Sequence, residues 1–346
     1  ALAQQLANGG KSQCGKMDEI LYNGAQAYQA GRLLAKSINV RRILLDPKYK
    51  LNETDVAKKS IYQIGKNYQA IAVYDVAANF FEKYAEATQY KGENADQAIN
   101  DAVVLRLGLG QADEAIDDAT NFNKYYGARK PALTAQIAFA IADHYAQKED
   151  WENARKRLAG GMSLIDKNAT PDVQVMAHTL LGHALVKLNQ PTPAGREYAK
   201  VVSLWKDPQK ATAAIQSIPG EDTAGKTRRH GKALTAVGEA YFYFAEQKRA
   251  KVDKVVFPVY KGTGTLEAVK KHINTKVKDW ITKKRPLIEE ATTEYKKIVD
   301  LQPVPPPQWV IAAGSRVGSM WGGFVKEFRA APIPDAIRKD VELRQA

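Results

Sequence analysis

Between residues 61 and 201 the apolar positions of this chain fall three and four apart, in short runs broken by polar turns. Ala138, Ile141, Ala142 and Tyr145 share one face of a helix predicted over 133–147, since an α-helix turns every 3.6 residues. Lys148-Glu149-Asp150 makes a polar turn, and a second helix then carries Trp151, Ala154, Leu158 and Gly161 on one stripe. Ala142, Ala154 and Gly161 are small enough for the two helices to approach closely, while Tyr145 and Leu158 fill the space around them. Three further stretches read in the same register. They are Ile61, Ile64, Gly65, Tyr68, Ala77 and Phe81; then Ala102, Val103, Leu109, Gly110, Ala115, Ala119 and Phe122; then Leu181, Gly182, Leu185, Leu188, Asn189, Ala194, Tyr198 and Val201. The alanine landmark recurs at Ala77, Ala115, Ala154 and Ala194, spaced by 38, 39 and 40 residues. Such a period marks a repeat array, in which no unit buries its apolar face alone. An all-α scaffold that presents a surface is expected, and a pocket enzyme is not.

That register resembles the tetratricopeptide repeat (TPR) family, whose helix pair carries Leu-Gly-x2-Tyr, then Ala-x3-Phe, then a closing proline. Ile64-Gly65-x2-Tyr68 with Ala77-x3-Phe81 matches it, as does Leu181-Gly182-x2-Leu185 with Ala194-x3-Tyr198. Ala291-x3-Tyr295-x7-Pro303 matches the second-helix half, and Ala35 with Pro47 repeats the offset near the N-terminus. The family's first-position Trp is absent from the central units. The periods also exceed the family's 34 residues, so longer connections are expected. The resemblance implies a right-handed superhelical solenoid of helix pairs whose first helices line a concave groove. Carried onto this register, the groove positions are Lys59, Tyr62, Lys66 and Gln69, then Gln97 and Asn100. Gln136, Phe139, Asp143 and Gln147 follow, then Met176, Thr179, His183 and Lys187. This lining lacks the Lys/Asn carboxylate clamp of chaperone-type TPRs. The tail, Pro305 to Ala313 and Phe328 to Pro334, is similar to large TPR proteins of deltaproteobacterial envelope machinery, including the myxobacterial gliding apparatus. That second resemblance implies a periplasmic or envelope-associated assembly protein.

The pattern breaks after Trp205-Lys206-Asp207-Pro208. An array is therefore expected over 1–205, an inter-repeat linker over 206–229, and a divergent basic unit over 230–346 with an insertion at 247–284. Helix resumes at His230 with Leu234, Val237, Gly238, Tyr241 and Phe244. Val255 to Tyr260 reads as extended, and Lys261-Gly262-Thr263-Gly264 as a turn. A basic helix follows, with Leu266, Val269, Ile273, Val277, Trp280 and Ile281 inward. Lys270, Lys271, Lys276, Lys278, Lys283 and Lys284 point outward, and Pro286 is expected to kink or restart the helix. Pro303 to Pro307 reads as polyproline II leading into a capping helix with Val317, Met320, Trp321, Phe324, Val325 and Phe328 on its apolar face. Charge sharpens this division. Residues 1–195 carry a net of +2 and residues 196–346 a net of +11, which points to an acidic partner or an anionic surface for the C-terminal half.

Chemistry-bearing motifs are few. No run of 18 or more apolar residues exists to span a membrane. The chain begins at Ala1 without a charged-then-apolar leader, as a mature, trimmed or partial sequence would. Lone Cys14 excludes an intramolecular disulfide or a cysteine-built zinc site. Gly220 to Thr227 satisfies the phosphate-binding G-x4-G-K-[ST] pattern, but an alanine-rich stretch and Pro219 precede it where a buried strand is required. His178 and His183 lie five apart on one helix, about 140° around it, so they do not face one ligand. No metal, cofactor, catalytic group or small-molecule substrate is expected. A scaffold with protein partners is the reading, with nucleic acid or an anionic membrane on the lysine-rich helix as the alternative and nucleotide binding at 220–227 as the lesser one.

Overall fold

The computed structural model describes residues 16–262, 265–332 and 338–339, so Cys14, Thr263-Gly264 and Ile333-Pro334 lie outside the described residues. Among the described residues the chain is helical throughout, with no strand. It divides into two compact units, the first ending at Ala169 and the second beginning at Thr170. The first unit holds four helix pairs: α1 Met17–Ala30 with α2 Leu34–Leu45, α3 Asp55–Ala70 with α4 Tyr74–Ala87, α5 Ala95–Gly108 with α6 Ala112–Tyr126, and α7 Pro131–Gln147 with α8 Trp151–Asn168. The second opens with a fifth pair, α9 Pro171–Lys187 and α10 Pro191–Leu204.

These are TPR-like pairs on their own packing. Ala77, Ala115, Ala154 and Ala194 are all fully buried. Gly65 of α3 lies against Phe81 of α4 so closely that an added Cβ would come within 2.7 Å of the ring. Phe81 is itself fully buried, which stabilises the pair by about 1.5–3 kcal/mol.

Each pair reverses in the same way. Arg32, Ala72, Gly110, Glu149 and Asn189 all adopt left-handed backbone, with φ between 58° and 80° and spacings of 40, 38, 39 and 40 residues. The next residue's N–H then donates to the carbonyl five positions back: Leu33 to Tyr28, Val73 to Tyr68, Gln111 to Arg106, Asp150 to Tyr145 and Gln190 to Leu185, at 2.8–3.0 Å. This is the Schellman pattern, which satisfies carbonyls left open at a helix end. Only Gly110 and Asn189 are residue types that accept the conformation at little cost.

The 206–229 stretch is not a linker. It carries helix α11 Pro208–Gln216 and the first turns of α12 Thr223–Asp253. The partner of α12 comes after an irregular segment, a short helix α13 Leu266–His272, a π turn Ile273–Val277, and is α14 Lys278–Val299. Pro286 sits inside α14, which runs through it as one helix rather than restarting. Helix α15 Pro307–Arg329 closes the unit. Its Trp309 takes the place against Gly238 of α12 that a second-helix aromatic takes elsewhere; a Cβ there would lie 2.6 Å from the indole. Trp309 Nε1 donates to the Thr235 carbonyl at 2.9 Å.

The outward placement of Lys284 is corrected. Lys284 is 4% exposed. Its Nζ donates to the Val255 carbonyl at 2.8 Å and to both Glu327 carboxylate oxygens at 2.7 and 2.8 Å. The ammonium also lies 5.6 Å from the centre of the Trp280 ring. Trp280 stacks on Phe324 of α15 at 4.7 Å and meets Phe257 edge-on at 5.0 Å. One turn of α14 thus ties the irregular segment to the end of α15.

Two stability predictions follow from these turns and from this lysine. Ala72→Gly and Glu149→Gly should each raise the urea-derived unfolding free energy by about 0.5–1 kcal/mol, and Gly110→Ala should lower it by about 1 kcal/mol. Loss of stability in both glycine variants would show that these turns hold no backbone strain. Removing one partner of a buried pair costs more than replacing the cation by an apolar isostere. Glu327→Gln should therefore lower stability by about 1–3 kcal/mol, discounted for the partial exposure of the carboxylate, and Lys284→Met by less.

Candidate partner-binding faces

In the first unit, residues from α3, α5 and α7 at the inherited groove positions are brought into one polar network around a residue the sequence reading missed. Asp101 of α5 accepts from Gln97 Nε2 at 2.6 Å. Its other oxygen lies 4.0 Å from Lys66 Nζ of α3, which also donates to Gln69 Oε1 at 2.8 Å. Burial pushes the Asp101 carboxyl up, with Gln97 and Lys66 pulling the other way. Tyr62 is a half-buried wedge, its ring 5.7 Å from Phe81 and 5.2 Å from Tyr84. Its hydroxyl is raised by burial and then by the Asp101 charge. Lys59 reaches Glu93 at 3.6 Å, and Lys130, just before α7, pairs with Asp96 of α5. Asn100 is half-buried, Gln136 exposed and Phe139 half-buried. Asp143 accepts from Gln147 at 2.8 Å. The signal for Asp101 was its place one helical turn beyond Gln97, on the same face.

In the second unit, the α9 positions divide. Thr179 is 5% exposed and donates to the Ala236 carbonyl of α12 at 3.2 Å, so it is corrected from groove lining to packing. The α12 helix simply lies across it. His183 Nδ1 is 2.8 Å from Glu239 Oε1, which also accepts from the Tyr198 hydroxyl at 2.8 Å. Burial, then Glu239, hold that phenol well above its usual range. His178 turns instead to Glu197 of α10 at 2.6 Å. The two histidines therefore tie α9 to different helices. Met176 stays half-buried and Lys187 exposed.

The nucleotide pattern is used up as a helix start. Asp222 caps α12, its carboxylate accepting from Gly225 N at 2.6 Å, where a phosphate would have to sit. Thr227 Oγ1 donates to the Thr223 carbonyl at 2.9 Å. Among the described residues no group of three His, Cys, Asp or Glu is placed to hold a metal, and no helix is long and apolar enough to cross a membrane. Lys270, Lys271, Lys276, Lys278 and Lys283 are exposed; Lys283 pairs with Asp279 at 2.8 Å.

A buried acid cluster lies between α4, α5 and α6. Arg106 grips Glu82 through two bonds of 2.7 and 2.9 Å and donates to Asn79 and Gln111 at 2.7 and 2.9 Å. Burial, then the neighbouring Glu82 carboxylate, push the Asp118 carboxyl up to about 8.

No protein-family profile matches the chain, and no curated protein matches it. Solved structures similar to it include MamA from Desulfovibrio magneticus RS-1, 15% identical with a TM-score of 0.37, covering 56% of this chain and 98% of that one. A kinesin light chain of TPR-like repeats from Podosopora anserina is 13% identical with a TM-score of 0.38, covering 56% and 96%. BtubC from P. vanneervenii is 14% identical with a TM-score of 0.37, covering 64% and 89%. Scores and identities this low assign neither fold nor partner. The repeat architecture rests on the turns and packing of this chain.

The acid cluster gives a pH prediction. The folded state holds a proton on Asp118 that the unfolded chain releases near pH 4, so this stabilisation is complete below that pH and is lost as pH rises to about 8. Between pH 5 and 8 the melting temperature of the wild type should fall relative to that of Asp118→Asn. Parallel melting curves across that range would show that Asp118 is not protonated in the fold.

Proposed function

We propose that this protein is a non-catalytic scaffold that holds a polypeptide partner along the face of α3, α5 and α7. The observation that carries this reading is the Lys66–Asp101–Gln97 network, which joins successive first helices and remains partly open to solvent. Exposed Gln97 and Gln136 and half-buried Phe139 continue that face. Repeat arrays use such surfaces to bind extended segments, because adjacent units offer similar contacts at a regular step. Side chains already paired with one another favour a partner that can exchange those hydrogen bonds, so they select its sequence more than they add affinity. The tail's similarity to envelope TPR proteins extends this reading to a multiprotein envelope assembly.

A second reading is favoured by the five exposed lysines of the insertion, in the half that carries a net of +11. An acidic partner or anionic surface would engage there, with affinity falling steeply as salt rises.

Photo-crosslinking amino acids at Gln97 and Gln136 should capture a partner, while the same group at the exposed Lys83 of α4 should not. Lys66→Glu should weaken the captured complex by about tenfold, the worth of one charge-assisted contact. Capture from Lys83 alone would place the partner on the second helices and remove this face as the site.

A further inference from the structure

The irregular segment after α12, the α13–π turn and the end of α15 enclose a cavity of about 320 Å³. That size falls in the range of small-molecule pockets. Its walls are apolar: Phe257 and Tyr260 from the segment, Val269 and Val277 from the α13–π turn, and Phe328 from α15. Val269 and Val277 are buried, whereas Phe328 is 54% exposed at the mouth. Lys284 frames the site, because it holds Val255 at one end of the segment and Glu327 beside Phe328 at the other. The cavity is therefore built by the fold's own ties. The π turn Ile273–Val277 forms part of its wall, and turns of this kind occur frequently at functional sites.

Two polar features mark its chemistry. Tyr260 Oη is buried and has no hydrogen-bond partner among the described residues, an arrangement that costs free energy unless something fills it. His272 is held by the Pro258 carbonyl at 2.9 Å and meets the Tyr260 ring edge-on at 5.1 Å. Arg329 lies at the lining, and exposed Lys261, Lys270 and Lys271 surround the approach. An apolar interior, an unused phenol and a cationic rim match one ligand class.

We propose that this cavity binds an amphipathic anion, its aliphatic body against Val269, Val277 and Phe257 and its head group at Tyr260 and Arg329. A carboxylate or phosphate head satisfies both the phenol and the cationic rim, and an acyl chain fills the apolar part. The same chemistry is offered by a free fatty acid and by an anionic lipid held in a membrane. This assignment stands apart from the α3–α5–α7 face, so either can fail alone.

The test uses dodecanoate and the full chain, followed by calorimetry, with anionic phosphatidylglycerol vesicles in a parallel flotation assay. Dodecanoate should bind with one-to-one stoichiometry. Val269→Trp, which fills the cavity, should weaken binding by at least about tenfold. Tyr260→Phe keeps the shape and removes only the hydroxyl, so it should weaken binding by about three- to tenfold. Arg329→Gln should weaken it and flatten its salt dependence. Circular dichroism and melting curves confirm that each variant folds; should Val269→Trp not fold, Tyr260→Phe and Arg329→Gln still decide. Vesicle binding lost together with dodecanoate binding in the variants identifies a membrane-borne lipid as the source. Vesicle binding absent or unchanged, with dodecanoate binding lost, identifies a free amphiphile. No dodecanoate binding, or binding that neither Tyr260→Phe nor Arg329→Gln alters, overturns the proposal.

Discussion

Every helix pair in this protein depends on one close approach, made where a side chain is no larger than a methyl group. Ala77, Ala115, Ala154, Ala194 and Ala291 are fully buried at that point. Gly65 takes the ring of Phe81 on the facing helix at a distance no Cβ would permit. The rest of each unit is arranged by this contact. Two helices that meet closely leave an aromatic side chain one turn further along, and Phe81, Phe122, Tyr198 and Tyr295 are buried there. A bulkier residue at the landmark would push the backbones apart and strand that aromatic, since cores packed to crystal density transmit such changes.

The landmark was legible because it is a matter of residue size at fixed spacing. So were the helix pairs through α10, and the pairing of α12 with a helix carrying Ala291 and Tyr295. The turns were not legible in the same way. Gly110 and Asn189 announce a left-handed residue, but Arg32, Ala72 and Glu149 do not. There the helix ends are set by the packing on either side, and the backbone accepts the conformation with whatever residue is present. The 206–229 stretch misled for a related reason. Pro208 and Pro219-Gly220 read as loop punctuation, yet proline is well suited to the first turn of a helix, where α11 uses it. Asp222 likewise spoiled a phosphate loop and made a good cap.

Buried charge was the least legible part of the chain. Lys284 lies on a helix full of exposed lysines, and its neighbours in sequence gave it no distinction. Its burial follows from tertiary contacts made 29 residues before it and 43 after it. Asp118 is similar: it is one of four acids between 113 and 118, and it alone is buried, against Glu82 and Arg106. Arg41 is fully exposed to neither water nor acid. It is completely buried, and its guanidinium is held by the neutral oxygens of Ser37 and Gln29 at 3.2 and 3.0 Å. Such groups add little net stability, but they fix which surfaces can meet, because any other arrangement strands a charge.

The two faces of interest differ in how their polar groups are satisfied, and that difference decides what each can bind. On α3, α5 and α7 the carboxylate, amides and ammonium already serve one another, so an incoming peptide gains only what its hydrogen bonds exceed in those it displaces. Net gains per exchanged bond are small, which suits reversible, sequence-selective contact with a polypeptide. Around Tyr260 the accounting is reversed. There the hydroxyl is buried without a partner while apolar walls stand open, so a ligand relieves a cost already present in the empty fold. The first surface gains affinity from length, by engaging successive repeats. The second gains it from depth, at one point, and needs no array to do so.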